Sequence, residues 1–356
     1  MDCSSSESGC LERGSRTVSA AGPLPEVEVE RLAAWLGDRL GFHRPHIVDL
    51  RRHSEGFSWQ TYTGLVVDDT ARDRSWGFAV RRQPEDGLLA PYDIEAQFNL
   101  HTSLTQSPIP VPQLLDLEKS AEVLGMPFYA MERVEGEVPV QWNAHDHSAL
   151  LDPSDRSRIG HKFIEIMAMI HTHPVEQTGL APADGSPPAI AAIDHWEQFI
   201  DESIRVDIPL LRVAIAWCRN HLVDSERVTL CHGDYRIGNF MVADRDIVAI
   251  LDWELAHAGD PVEDLAWAAL PLFRGRSPLM SHLLPIDEAL QLYQSFSGQK
   301  VNSEALHFWT VLGLIKAAAP HLRAASAFEG GKTNDLRLAA MGHQVSHILR
   351  VLNSLI

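Results

Sequence analysis

A chain of 356 residues, 45% hydrophobic and 22% charged, can bury a sizeable core, more naturally as two bodies than as one. Its 48 acidic residues outnumber 30 basic ones, for a net charge of −18, which argues against a nucleic-acid partner, because such partners require a basic face. No apolar run reaches the ~18 residues of a membrane span and no apolar core follows a basic start, so neither a membrane association nor a secretory signal is expected. The cysteines Cys3, Cys10, Cys218 and Cys231 are scattered, with no close metal-type pair, and a reduced cytoplasmic setting fits them.

Residues 1–25, rich in Ser and Gly and without apolar periodicity, are expected to form a disordered tail. Val27, Leu32, Trp35, Leu36 and Leu40 then fall at helical spacing. Strand-like runs follow at 47–50, 62–67 and 76–82, next a helix over 91–104, then strands at 113–117 and 127–133. Gly136 and Pro139 break the pattern where a connector is expected. From about 150 onward helices dominate. Ile159, Phe163, Ile166, Met167 and Ile170 make one apolar stripe, stopped by Pro174. After a loop at 179–190, helical patterns run through 192–222, 260–271, 285–297, 303–328 and 335–354, interrupted only by short β-like runs within 227–252.

That interruption carries the chemistry. It reads Leu230-Cys231-His232-Gly233-Asp234-Tyr235-Arg236-Ile237-Gly238-Asn239, then Ile250-Leu251-Asp252-Trp253-Glu254. An Asp, an Asn five residues later and a second Asp thirteen beyond that are the groups phosphoryl transfer needs. One carboxylate orients and deprotonates the acceptor hydroxyl, while the amide and the other carboxylate hold magnesium on the phosphates.

Together with Gly259-Asp260-Pro261, Asp264-Leu265-Ala266-Trp267, Val111-Pro112 and Gly125-Met126-Pro127-Phe128-Tyr129-Ala130-Met131-Glu132, these residues resemble the aminoglycoside phosphotransferase family. The likeness is nearest to the phosphotransferases similar to the kinase-like domain of some acyl-CoA dehydrogenases. It implies an α+β, protein-kinase-like two-lobe fold. After the tail over 1–25, a small β-rich N-terminal nucleotide-binding lobe would span 26–134. A larger, mostly helical catalytic and substrate-binding lobe would span 135–356.

On this likeness Asp234 is the catalytic base, and Asn239 and Asp252 are the Mg²⁺ ligands, hard oxygen donors of the kind that ion prefers. His232 joins the catalytic set, either as a second proton acceptor or as an imidazole that braces the loop. Glu254 assists the metal from behind or lies at the surface. Asp260 should cap a helix and Asp264 should anchor the catalytic loop. On the nucleotide side Arg81 takes the position of the phosphate-binding Lys, and Gln97 stands where its partner Glu is expected. The turn over 54–58 covers the phosphates through backbone amides and the Ser58 hydroxyl. The backbone of Met131, Glu132 and Val134 meets the adenine edge. His171-Thr172-His173 has no third metal ligand nearby in sequence and is read as structural.

Only residues 253–259 separate Asp252 from Asp260, too few for a peptide-docking activation segment, so the acceptor is expected to be a small hydroxylated molecule. The expected activity is Mg²⁺-dependent transfer of the γ-phosphate of ATP or GTP to a metabolite hydroxyl. The alternatives are an aminoglycoside kinase and, because Arg81 and Gln97 depart from the kinase pair, a nucleotide-binding regulator without turnover. Oligomeric state is not readable from these residues.

Overall fold

The computed structural model describes residues 24–53, 58–70, 74–85, 87–140, 150, 152–180, 185–204 and 207–356. Most of the expected tail and residues 54–57, expected to form the phosphate-covering turn, lie outside them. Leu24 and Pro25, the last two residues of that segment, are described: Leu24 packs into the core and Pro25 caps the first helix.

That helix, α1 (Glu26–Leu40), buries Leu32, Trp35 and Leu36, and Gly41 ends it in a left-handed conformation at φ 65°, which a residue without Cβ adopts without cost. Five strands follow: β1 (Pro45–His53), β2 (Gln60–Asp68), β3 (Ser75–Arg82), β4 (Leu114–Glu118) and β5 (Phe128–Glu132). They form a sheet of order β1-β2-β3-β5-β4 in which every neighbouring pair is antiparallel.

Side chains alternate across this sheet, as the period of two requires. Tyr62, Val66, Phe78, Val80, Phe128 and Ala130 pack with α1. Ala79, Tyr129 and Met131 face the other way, against Trp59 and Ile94 of α2 (Ile94–Thr105). The same alternation sends Arg81 to the α2 side with Ala79. Arg82 goes to the α1 side, 3.8 Å from Glu28.

The C-terminal part is helical around two cores. In one, the helix Pro153–Thr172 lays Ile159, Phe163, Ile166, Met167 and Ile170 against Leu230, Tyr235, Phe240 and Ile250. In the other, the helices Pro188–Ser203, Pro209–Asn220 and Ser303–Glu329 enclose Val262, Ala266 and Trp267. The helical pattern over 192–222 is two helices, because Pro209 has no N–H to continue a helix and instead starts one. No helix among the described residues is long and apolar enough to cross a membrane. An antiparallel sheet followed by a helical body is the kinase-like arrangement.

Two backbone ties set the functional loops against the N-terminal part. Glu137 exchanges hydrogen bonds of 2.9 and 2.8 Å with Val242, and Ile250 N–H donates to the Pro110 carbonyl at 2.8 Å. The segment around residues 239–252 is therefore tied to the stretches that precede β4 and follow β5.

Candidate active site

The loop 232–239 leaves β6 (Thr229–Cys231) and enters β7 (Phe240–Ala243). Its start is clamped by Asp264, fully buried, whose two oxygens accept the N–H groups of His232 at 2.7 Å and Gly233 at 2.9 Å. Behind it His171 lies 3.1 Å away and bonds Tyr293 Oη at 2.8 Å. Burial pushes the Asp264 carboxyl up, but these partners hold it below the usual carboxylate range. Gly233 has φ +79°, and a Cβ there would lie 2.2 Å from the Leu255 carbonyl oxygen. Asp260 accepts the Val262 N–H at 2.8 Å, at the start of the helix Val262–Ala268.

His232 is fully buried. Its Nε2 donates to the Leu251 carbonyl at 2.9 Å, and its Nδ1 accepts the Asp234 N–H at 3.1 Å. This pairing fixes the neutral tautomer, and burial holds the imidazole below its ordinary pKa. Both ring nitrogens are thus engaged in tying the loop 232–239 to the segment that carries Asp252.

Asp234 is held by side chains from three directions. Oδ1 accepts the Trp267 indole N–H at 2.7 Å and Arg236 Nε at 2.8 Å, and Oδ2 accepts the Asn239 amide at 2.5 Å. The Asn239 nitrogen is also 2.9 Å from the Asp234 carbonyl, so its Oδ1 remains as the oxygen donor. Leu251 N–H donates to the Asn239 carbonyl at 2.8 Å. That bond, with the pairing of β7 and β8 (Asp246–Ile250), sets Asp252 beside Asn239.

Asp252 adopts φ 67°, a left-handed conformation that costs a non-glycine residue energy and that occurs at functional turns. Its Oδ1 accepts Arg81 Nη2 at 2.9 Å. Burial raises its carboxyl, but the charge and hydrogen bond of Arg81 hold it low. An amide oxygen and an ionised carboxylate on adjacent backbone segments are the hard donors that suit Mg²⁺, which takes its other oxygens from water and phosphate. The residues present therefore fit that ion.

Arg81 is half-buried, with its guanidinium 5.6 Å from the Trp59 ring. Gln97 donates its amide N–H to the Trp253 carbonyl at 3.3 Å. Burial, with the Asp252 charge nearby, pushes the Glu254 carboxyl up to about 8. Met131 and Glu132 end β5, and the Glu132 N–H is taken by the Gln113 carbonyl at 2.8 Å. Val134 follows in the connector.

The structure gathers Asp234, Asn239, Asp252, Arg81 and His232 together, with Gln97 joined to the turn after Asp252. Two participants escaped the sequence reading. Arg236 lies two residues beyond Asp234 in the same loop, and Trp267, quoted above only for the family likeness, reaches Asp234 with its one polar atom. The histidine pair separates: His171 meets Cys231 and Asp264, with ligand atoms within 4.8 Å, while His173 bonds Ser103 at 2.7 Å. Hydrogen bonds already engage this buried trio, Cys231 Sγ reaching the Asp260 carbonyl at 3.3 Å, so it braces the loop.

Comparison with known proteins bears on the fold and the family. A profile described as the phosphotransferase enzyme family matches residues 49–296. Acyl-CoA dehydrogenase family member 10 of Mus musculus is 28% identical over 264 residues, 72% of this chain but 23% of that protein. The chain thus spans about a quarter of that relative's length. A putative aminoglycoside phosphotransferase from Ralstonia eutropha JMP134 superimposes with a TM-score of 0.68 at 23% identity, over 90% of this chain and 95% of that one. An aminoglycoside phosphotransferase in a ternary complex with AMP-PNP and hygromycin B gives 0.55 at 16% identity, over 90% and 97%. With well over half of its length matched and a kinase-like fold shared with these enzymes, the chain belongs to the phosphotransferase enzyme family.

Proposed function

We propose that the protein is a Mg²⁺-dependent O-phosphotransferase that moves the γ-phosphate of ATP or GTP to a hydroxyl of a small metabolite. The observation that carries this reading is the convergence of Asp234, Asn239 and Asp252, with Asn239 bonded to Asp234 and Arg81 bonded to Asp252. Asp234 orients the acceptor hydroxyl and takes its proton late. In a loose transition state its positioning by Trp267, Arg236 and Asn239 counts for more than its basicity. Asn239 and Asp252 would hold Mg²⁺, which when bound supplies charge neutralisation on the phosphates. Arg81 offers a planar fork to phosphate oxygens, and the Met131–Val134 backbone receives the base.

Beside Asp234 stand Arg236 over Phe273, 5.3 Å to the ring, and Trp267 edge-on to Phe273 at 4.9 Å. One cation and two aromatic rings suit a partly apolar hydroxyl compound better than a polycationic antibiotic. The likeness to an acyl-CoA dehydrogenase family member directs the search first to hydroxylated acyl compounds.

The test is a panel of hydroxylated acyl metabolites and aminoglycosides with ATP or GTP and Mg²⁺, read by mass of the phosphorylated product. Asp234→Asn should lower turnover by ~10² or more while leaving nucleotide affinity nearly unchanged. Near-normal turnover in that variant removes Asp234 from the role of base. Nucleotide binding without product across the panel favours a regulator, and product only with aminoglycosides favours an antibiotic kinase.

A further inference from the structure

Asp234 is restrained from two sides, and both restraints lead back to one buried carboxylate, Glu263. On one side Trp267 donates to Asp234 Oδ1 at 2.7 Å, and Lys316 Nζ lies 4.7 Å from the centre of the indole. On the other side the Leu255 carbonyl leaves no room for a Cβ on Gly233, the residue before Asp234. That carbonyl stands 2.9 Å from Nδ1 of His257, in β9 (His257–Gly259), the strand paired with β6. Glu263, in the helix Val262–Ala268, joins the two sides. Its Oε1 accepts Lys316 Nζ at 2.8 Å, and its Oε2 lies 3.0 Å from His257 Nε2.

A carbonyl and an ionised carboxylate only accept hydrogen bonds. With one at each ring nitrogen, His257 has to donate from both, which only the imidazolium can do. Burial pushes the Glu263 carboxyl up, but Lys316 and His257 hold it below the usual carboxylate range. Burial also opposes the charge on His257, and Glu263 outweighs it, so the imidazole sits above its ordinary pKa. Two other ionisable groups face this ring. His195, on the helix Pro188–Ser203, is held below its ordinary pKa by burial and by the His257 charge. Cys231, the partner of His257 across the strand pair, is a thiol that burial keeps neutral.

We propose that His257 is a positioning residue for Asp234: as an imidazolium it holds the Leu255 carbonyl with one nitrogen and Glu263 with the other, and Glu263 passes the restraint through Lys316 to Trp267. This inference rests on the phosphotransferase reading above. When the ring gives up a proton, the stronger bond to the carboxylate is kept and the Leu255 carbonyl is released. The side chain is 38% exposed, so solvent takes that proton. Because the pKa is raised in the folded chain, the restraint is complete at low pH and is lost as pH rises through that pKa.

The test has two arms. In the first, ring ¹⁵N signals of His257, identified by their loss in His257→Gln, are followed by NMR against pH, together with the indole N–H of Trp267. His257 should titrate above the ordinary imidazole value of about 6.5, and the indole signal should shift with it. A midpoint at or below that value overturns the proposal, and so does an indole signal that ignores the titration. In the second arm, kcat of the unaltered chain should fall about tenfold as pH rises through the His257 midpoint, with nucleotide KM level. His257→Gln can donate to only one of the two acceptors and does not titrate, so it should keep the lower kcat throughout. Glu263→Gln should behave alike. Should it fail to fold, Glu263→Gln with Lys316→Met removes the buried cation together with its partner and should show the same low, level kcat. The proposal falls if His257→Gln matches the low-pH kcat of the unaltered chain, or if it repeats the same decline with pH. Absence of phosphorylated product from the unaltered chain overturns the phosphotransferase reading itself, and the first arm then still decides whether His257 is coupled to Trp267.

Discussion

The indole N–H of Trp267 meets Oδ1 of Asp234 at 2.7 Å, so the carboxylate assigned as base is oriented from a helix and not by its own loop alone. The indole is in turn backed by Lys316, whose Nζ lies 4.7 Å from the ring and is paired with Glu263 at 2.8 Å. A cation on an aromatic face in a dry setting holds that ring firmly. Trp267→Phe keeps the apolar body and deletes the donor. A hydrogen bond to a charged group contributes about 1.5–3 kcal/mol, so turnover should fall roughly tenfold or more with nucleotide KM unchanged. Steady-state kinetics with the acceptor found in the panel decide it, and an unaltered kcat would show that the orientation of Oδ1 is immaterial.

Gly233 marks the tightest point of the loop. Alanine there meets two penalties together, a left-handed φ of +79° and a Cβ 2.2 Å from the Leu255 oxygen. The first costs about 1–2 kcal/mol, and the second obliges the backbone of one segment to move. Because Asp234 is the next residue, the displacement passes directly to the proposed base. Gly233→Ala should fold with lowered stability and lose turnover by ~10² or more. Urea melts together with kinetics separate the two effects, and a variant of normal turnover would contradict the loop geometry.

Asp264 supplies the other restraint. Asp264→Asn replaces one of two acceptor oxygens with a donor, setting an amide N–H against the backbone N–H of His232 or Gly233. In a fully buried site that conflict should cost about 3 kcal/mol or more, seen as a lower urea midpoint with an unchanged slope. A midpoint equal to that of the unaltered chain would mean that the loop start does not depend on this carboxylate.

What could be read before the structure was what lies close together in sequence. The sheet was legible because runs such as 62–67 and 76–82 are rich in the β-branched and aromatic residues that favour strands. Asp234, Asn239 and Asp252 stood within one short stretch. The contacts that join the two parts of the site span 171 residues for Arg81 to Asp252 and 156 for Gln97 to Trp253, and no local pattern encodes which partner a side chain finds at such separations. Gln97 illustrates the limit. Its position on α2 followed from periodicity, but its choice of the Trp253 carbonyl over Arg81 depends on where the turn after Asp252 comes to rest. Trp267 was hidden for another reason: most of an indole is apolar and belongs in the core, and a single N–H at its edge leaves no trace in a hydrophobic pattern.

His101 gives the fold a pH dependence with a definite sign. It is buried on α2, with Nε2 2.9 Å from the Pro112 carbonyl, and burial lowers its pKa from 6.5 to about 4. Between those values the unfolded chain takes up a proton that the folded chain refuses. The stability this residue permits is therefore full above about pH 6.5 and is lost as pH falls toward 4, by on the order of 3 kcal/mol when complete. His101→Gln can still donate to Pro112 and does not titrate. Urea midpoints measured from pH 7.5 to 4.5 should show the unaltered chain losing about 2–3 kcal/mol more than the variant. Parallel curves for the two proteins would mean that His101 is protonated in the folded state after all, and that the contact of α2 with the segment before β4 opens readily enough to admit the charge.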